Sequence, residues 1–155
     1  MCETMTSNGT QEENYELVIK QLDSLLEGET NMIANLSNAS ALLNQFLETT
    51  NWVGFYLMED GELILGPFQG LPACVRIAVG KGVCGTAVKE RKTMLVPDVN
   101  EFPGHIACDA QSQSEIVVPM FKDKQVISVL DIDSPVEDRF DSTDKKYIEA
   151  FVETL

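Results

Sequence analysis

The segment 104–119, GHIACDAQSQSEIVVP, carries the one histidine of the chain, His105, then Cys108, then Glu115 at the threshold of an apolar run. A thiolate is a potent nucleophile, and a carboxyl group drawn into apolar surroundings keeps its proton. A polar loop that brings both to a buried strand has the parts for nucleophilic attack assisted by a proton donor.

A second source of acid lies in VISVLDID, residues 126–133. Side chains alternate along a strand, so Ile127 and Val129 are expected to share a face with Asp131 and Asp133, and Val126, Leu130 and Ile132 the other with Ser128. Both faces are mostly apolar, which marks a central strand, and the two aspartates extend a buried face at its end. An isolated buried carboxylate is costly, so such acids find partners or take up protons, and they tend to mark sites. The competing reading is that the strand surfaces at Ser134-Pro135 and the aspartates serve the turn. Glu115 points the way Val117 does and joins the same argument.

The remaining thiols are Cys2 in a polar N-terminus, Cys74 in LPACVRI and Cys84 in GKGVCGTAV. A single cysteine is commonly a small buried hydrophobe. Cys84 stands between glycines at the start of an expected helix, where the macrodipole lowers a thiol's pKa. Cys74, Cys84, Cys108 and His105 invite a zinc reading, but there is no C-x-x-C knuckle and no metal is expected. GKGVCG lacks the Gly-Lys-Ser/Thr ending of a phosphate loop, which argues against nucleotide hydrolysis.

Thiols plus buried acids, without a cofactor motif, suit the reduction of an oxidised sulfur. A raised-pKa carboxyl protonates the sulfoxide oxygen, a thiolate attacks sulfur, and the cysteine is left as a sulfenic acid. A second thiol condenses with it to a disulfide, which an external dithiol reduces.

These groups need a frame. Apolar residues at helical spacing predict a helix over 15–26, ended by Gly28, and a second one capped by Thr30. WVGFYLM (52–58) and ELILGPF (62–68) read as strands joined at 59–61. A short strand around 73–78, a short helix over 84–91 and a strand over 93–99 follow. After the loop 100–114 come strands 115–121 and 125–133, then a closing helix over 141–155. The expected architecture is α+β, an antiparallel sheet with helices on one face. Loops around 70–85 and 100–114 would cover the other face and form a pocket. Residues 1–12 are expected to be a flexible tail and 13–155 one domain.

Composition narrows the function. Lys plus Arg is 11 and Asp plus Glu is 25, a net charge of −14. Such a surface repels phosphate backbones and anionic lipid, so neither nucleic acid nor a membrane is an expected partner. No apolar run reaches the ~18 residues of a membrane span, and the polar N-terminus lacks a secretory signal. The expected location is cytoplasmic, where thiols stay reduced.

NWVGFY, LGPFQG, ACVRI, GKGVCGTAV, GHIACDA, SEIVVP and VLDID together resemble the free methionine-(R)-sulfoxide reductases, a GAF-domain family, from about Glu16 onward. The resemblance implies a GAF-like fold, a homodimer, and reduction of free L-methionine (R)-S-oxide. It implies no bound cofactor, the reductant being thioredoxin supplied by NADPH and thioredoxin reductase. Carried over by motif, Cys108 is the implied nucleophile, Cys74 the resolving thiol and Cys84 a further relay thiol. Glu115, Asp131 and Asp133 are implied to hold the sulfoxide oxygen and the ammonium, with Trp52 an apolar wall beside the thioether. Ser128 stands where the pattern has glycine. The alternative is a non-catalytic GAF module that binds a small ligand or senses oxidants through Cys84 and Cys108.

Overall fold

A computed structural model describes residues 9–105 and 109–155. Cys108, the expected nucleophile, and Cys2 lie outside the described residues.

Helix α1 (Gln11–Leu26) starts two residues ahead of the expected domain edge at 13, because the Thr10 side chain caps it by accepting from the Glu13 amide. Helix α2 (Met32–Phe46) is capped by Asn31, whose side chain accepts from the Ala34 amide, and not by Thr30. Both residue types cap well, and here the position nearer the apolar periodicity takes the role.

Strands β1 (Trp52–Glu59) and β2 (Glu62–Gly70) form a hairpin over Asp60 and Gly61, both at positive φ. Only Arg76–Ala78 of the expected 73–78 strand pairs, as β3 against Glu62–Ile64. Helix α3 (Gly82–Glu90) follows, then β4 (Met94–Val96), which stops at Pro97 for want of a ladder donor. A 3₁₀ turn at Val99–Glu101 precedes β5 (Ser114–Lys122) and β6 (Gln125–Ser134), and α4 (Ser142–Thr154) closes the chain. The sheet is antiparallel throughout, in the order β3-β2-β1-β6-β5-β4.

The sheet's two faces carry different cores. Val53, Phe55, Ile116, Val118, Leu130 and Ile132 pack beneath α1, α2 and α4 with Tyr15, Leu22, Leu36, Leu43, Ile148 and Phe151. Trp52, Tyr56, Val117 and Val129 face the other way, against Val83, Cys84 and Ala87 of α3. The pocket face is therefore roofed by a helix as well as by loops.

One expected alternation fails. Ile127 packs with the helix-side core and Val126 with the pocket-side core, the reverse of the expected phase. Met120 pairs with Ser128 but Phe121 with Val126, so Ile127 is an extra residue on its strand. Such a bulge inverts the facing of what precedes it. Ser128, buried beside the bulge, donates its hydroxyl to the Tyr56 carbonyl at 2.8 Å.

Candidate functional site

Strand register assembles the acids. Glu115 pairs across with Asp133, and Val117 with Asp131, so Glu115 stands opposite one aspartate and diagonal to the other. Across the neighbouring ladder Trp52 pairs with Asp133 and Gly54 with Asp131. Like charges directly opposite on a sheet repel, and here Glu115 and Asp131 are also buried. Burial foremost, then the aspartate charges, pushes Glu115 well above the ordinary carboxylate range. Burial also raises Asp131 and Asp133. The trio thus holds its protons more tightly than solvated carboxyls do, and Glu115, raised by burial and by the aspartate charges, is the member suited to donate a hydrogen bond to a sulfoxide oxygen.

An aromatic wall stands next to the acids. Trp52, buried, stacks on Phe68 with ring centres 5.2 Å apart and on Tyr56 at 5.9 Å. Its Nε1 donates to the Leu71 carbonyl at 3.1 Å, and Tyr56 Oη to the Cys74 carbonyl at 2.9 Å. The two rings therefore pin the loop that carries Cys74. Gly54 makes the stack possible: a Cβ there would stand 2.3 Å from Phe68 Cβ and 2.8 Å from Trp52 Cη2.

Trp52, Tyr56, Pro72, Ala73, Val83 and Cys84 line one side of a pocket, and Glu115, Asp131 and Asp133 its floor. His105, Asp109 and Ser112 line it from the long loop, and Lys81 from the start of α3. His105 Nε2 lies 3.9 Å from Glu115 Oε1, and burial lowers its pKa. Asn51 anchors the loop's far side, its Nδ2 donating to Asp109 Oδ2 at 2.9 Å and to Ser112 Oγ at 3.1 Å.

The sequence places Cys74, Cys84, Glu115, Trp52, Asp131 and Asp133 in one neighbourhood, and the structure brings Cys84, Glu115, Trp52, Asp131 and Asp133 to one pocket. Cys74 is disulfide-bonded, and Cys84 is a free, buried thiol. The expected lowering of the Cys84 pKa is overturned. Burial, then the Asp131, Glu115 and Asp133 charges, raises it well above the thiol range, and these outweigh the helix dipole. Of the four residues that invited a zinc reading, Cys74 is taken by its disulfide and Cys108 lies outside the described residues.

Lys81 and Tyr56 escaped the sequence reading. Tyr56 was open to discovery, being two and four residues from Gly54 and Trp52 on one strand face. Lys81 gave a weaker signal, the only charged residue in the glycine run that opens α3.

Residues 39–155 match the GAF domain family. The chain is similar to the free methionine-R-sulfoxide reductase of Escherichia coli, 51% identical over 92% of this chain and 87% of that protein. Its fold is similar to the reduced form of the fRMsr of Staphylococcus aureus, at TM-score 0.90 and 62% identity, over 97% of this chain and 96% of that one. It is also similar to the free methionine-R-sulfoxide reductase of Neisseria meningitidis in complex with its substrate. That match has TM-score 0.95 and 42% identity over 99% of this chain and 93% of that one.

Proposed function

We propose, from the premise that this chain belongs to the GAF-domain family of free methionine-R-sulfoxide reductases, that it reduces free L-methionine (R)-S-oxide to L-methionine by thiol chemistry. One observation carries the chemical reading: three acids whose pKa values burial raises, Glu115, Asp131 and Asp133, line one pocket with Trp52 and Tyr56.

Glu115 donates a proton or hydrogen bond to the sulfoxide oxygen, which makes sulfur electrophilic. The Cys108 thiolate attacks that sulfur, and the protonated oxygen passes to the cysteine sulfur, so that a cysteine sulfur–oxygen bond forms as the methionine sulfur–oxygen bond and the transient sulfur–sulfur bond break. Methionine leaves as the thioether with the electron pair, and the cysteine, oxidised by two electrons, is a sulfenic acid. His105 and Asp109, the nearest described residues on either side of the nucleophile, both line the pocket, which supports this role. Cys74 then displaces water from the sulfenic acid and closes a disulfide with Cys108. The disulfide state of Cys74 beside a reduced Cys84 supports Cys74 as the resolving thiol. Cys84, with its raised pKa, serves in a later relay step or as part of the pocket wall.

The substrate is a zwitterion, and the pocket is polarised to suit one. Asp131 and Asp133 take the ammonium, and Asp131 Oδ1 is buried without an amide, hydroxyl or basic donor among the described residues. Lys81 and the first amides of α3 take the carboxylate. The methyl thioether lies against Trp52.

Thioredoxin, fed by NADPH and thioredoxin reductase, is the proposed reductant, and the enzyme carries no bound cofactor. A homodimer in the cytoplasm completes the reading. Among the described residues no helix is long and apolar enough to cross a membrane.

The test couples the protein to thioredoxin, thioredoxin reductase and NADPH. The free R epimer should drive NADPH consumption. The S epimer and a substrate blocked at both amino and carboxyl ends should not. Absence of turnover with the free R epimer would overturn the assignment in favour of a ligand-binding or oxidant-sensing module.

A further inference from the structure

Cys84, Glu115 and Asp131 each offer a ligand atom, and these three atoms lie within 4.8 Å of one another. All three residues are buried, Asp131 at 6% exposure. A second observation points to a ligand: Asp131 Oδ1 meets no amide, hydroxyl or basic donor among the described residues, the carboxyl group's hydrogen-bond neighbours being the Cys84 thiol and the adjoining acids themselves, and Asp131 lines the pocket. His105 stands above the same corner, its Nε2 3.9 Å from Glu115 Oε1.

Three acids packed together out of water need positive charge from some source. Protons supply it in the empty pocket, and an ammonium would supply it with substrate bound. A dication is the third source, and the donor atoms decide which one. One sulfur, carboxylate oxygens and an imidazole within reach suit zinc and its soft congeners, in four-fold coordination. Calcium and magnesium prefer all-oxygen shells, which the thiol spoils. The set differs from the one that Cys74, Cys84, Cys108 and His105 invited and their spacing argued against, because the packing of α3 on the sheet joins its thiol to two sheet acids that lie far from it in sequence.

We propose that this corner is a binding site for one thiophilic divalent cation of the zinc class, held by Cys84 Sγ, Glu115 and Asp131. The bound ion and the amino-acid substrate compete for the pocket, so the site makes the reductase zinc-sensitive. That last clause rests on the reductase reading above; binding itself does not.

The experiment uses the full chain with the Cys74 disulfide intact and titrates cadmium, reading the ultraviolet thiolate-to-metal charge-transfer band. One equivalent per chain should saturate the band. Cys84→Ser should abolish it and Cys2→Ser should leave it. Asp131→Asn, which keeps the thiol, should weaken cadmium binding by tenfold or more. Cadmium-113 NMR of the unsubstituted protein reads the donor set without any variant, and should show a single sulfur with oxygen or nitrogen donors. No band at one equivalent, a band that survives Cys84→Ser, or a resonance typical of several sulfurs overturns the site. Turnover is assayed in parallel, with and without zinc. Turnover that stays unchanged at zinc concentrations sufficient to displace cadmium from the site overturns the competition. A cadmium band in a protein that never turns over refutes the reductase reading and leaves the metal site standing.

Discussion

At the scale of single residues the site divides its labour by charge. Glu115 is the strongest candidate for the acid, since burial and both aspartates raise its pKa well above the carboxylate range. Glu115→Gln keeps the shape and removes the transferable proton, so kcat should fall by about 10²-fold or more, the usual scale for a general acid. Turnover measured in the thioredoxin-coupled assay checks this, and an unchanged kcat would remove Glu115 from the chemistry. Lys81 acts on binding. Among the described residues it is the one lysine or arginine that lines the pocket. Lys81→Gln should raise KM for the free amino acid several-fold with little change in kcat, because the carboxylate contact is made equally before and during reaction. Lys81→Arg should restore most of the affinity. A drop in kcat without a change in KM would assign Lys81 another role. The acids were legible because a hydrophobic alternation ended in two aspartates. Lys81 was not, because a lysine among glycines has no periodicity to betray which way it points. The Cys84 pKa went wrong for a related reason. A helix dipole can be read from local sequence, whereas three carboxyl groups from two other strands cannot.

Elements matter through how they hold these groups in place. Helix α3 carries Lys81 and Cys84, and its seat on the sheet depends on Gly85. The Gly80 amide donates to the Gly85 carbonyl at 2.8 Å, and a Cβ on residue 85 would come within 2.4 Å of the Ala78 carbonyl oxygen. Gly85→Ala must push the helix off β3, so stability should fall by about 1–3 kcal/mol and KM should rise with it. Helix α4 offers the contrast. Asp141 caps it by accepting from the Asp144 amide at 2.8 Å, with Asp144 Oδ2 accepting from the Asp141 amide in return. Asp141→Ala should cost about 1 kcal/mol in denaturant unfolding, yet leave KM unchanged, because α4 packs on the face away from the pocket. If both variants shifted KM alike, the two faces would not be independent. Most elements could be read from sequence because apolar period and turn residues agree there. The exceptions are tertiary. The extra residue at Ile127 inverts a strand's facing without any local sign, and β3 shrinks to three residues because the register with β2 covers Arg76–Ala78, with Val75 adding only a single bond, its carbonyl accepting from the Leu65 amide at 2.9 Å.

The whole molecule carries a net charge of −14 and a cluster of buried acids, and both act on its stability in the same direction. The unfolded chain releases protons from carboxyl groups near their ordinary values of about 4. The folded chain holds those of Glu115, Asp131 and Asp133 to higher pH. Above about pH 4 the folded state therefore binds more protons than the unfolded one, and stability falls as pH rises until these groups ionise. Mutual repulsion of the surface carboxylates adds to the loss as they charge. Tm should accordingly be higher near pH 5 than near pH 8. Salt separates the two causes, since ~0.5 M shortens the screening length to a few ångströms at the surface but reaches a buried cluster poorly. In high salt the surface part of the slope should vanish and the cluster's part persist. The double variant Glu115→Gln, Asp133→Asn should then flatten what remains, because the two groups raised well above the carboxylate range no longer titrate. Saturating free amino-acid substrate should do the same without substitution, its ammonium taking the place of the protons. A Tm that climbs from pH 5 to pH 8 in high salt, or a slope the double variant leaves intact, would mean that the acids on the pocket floor are ionised in the resting protein and cannot serve as its proton source.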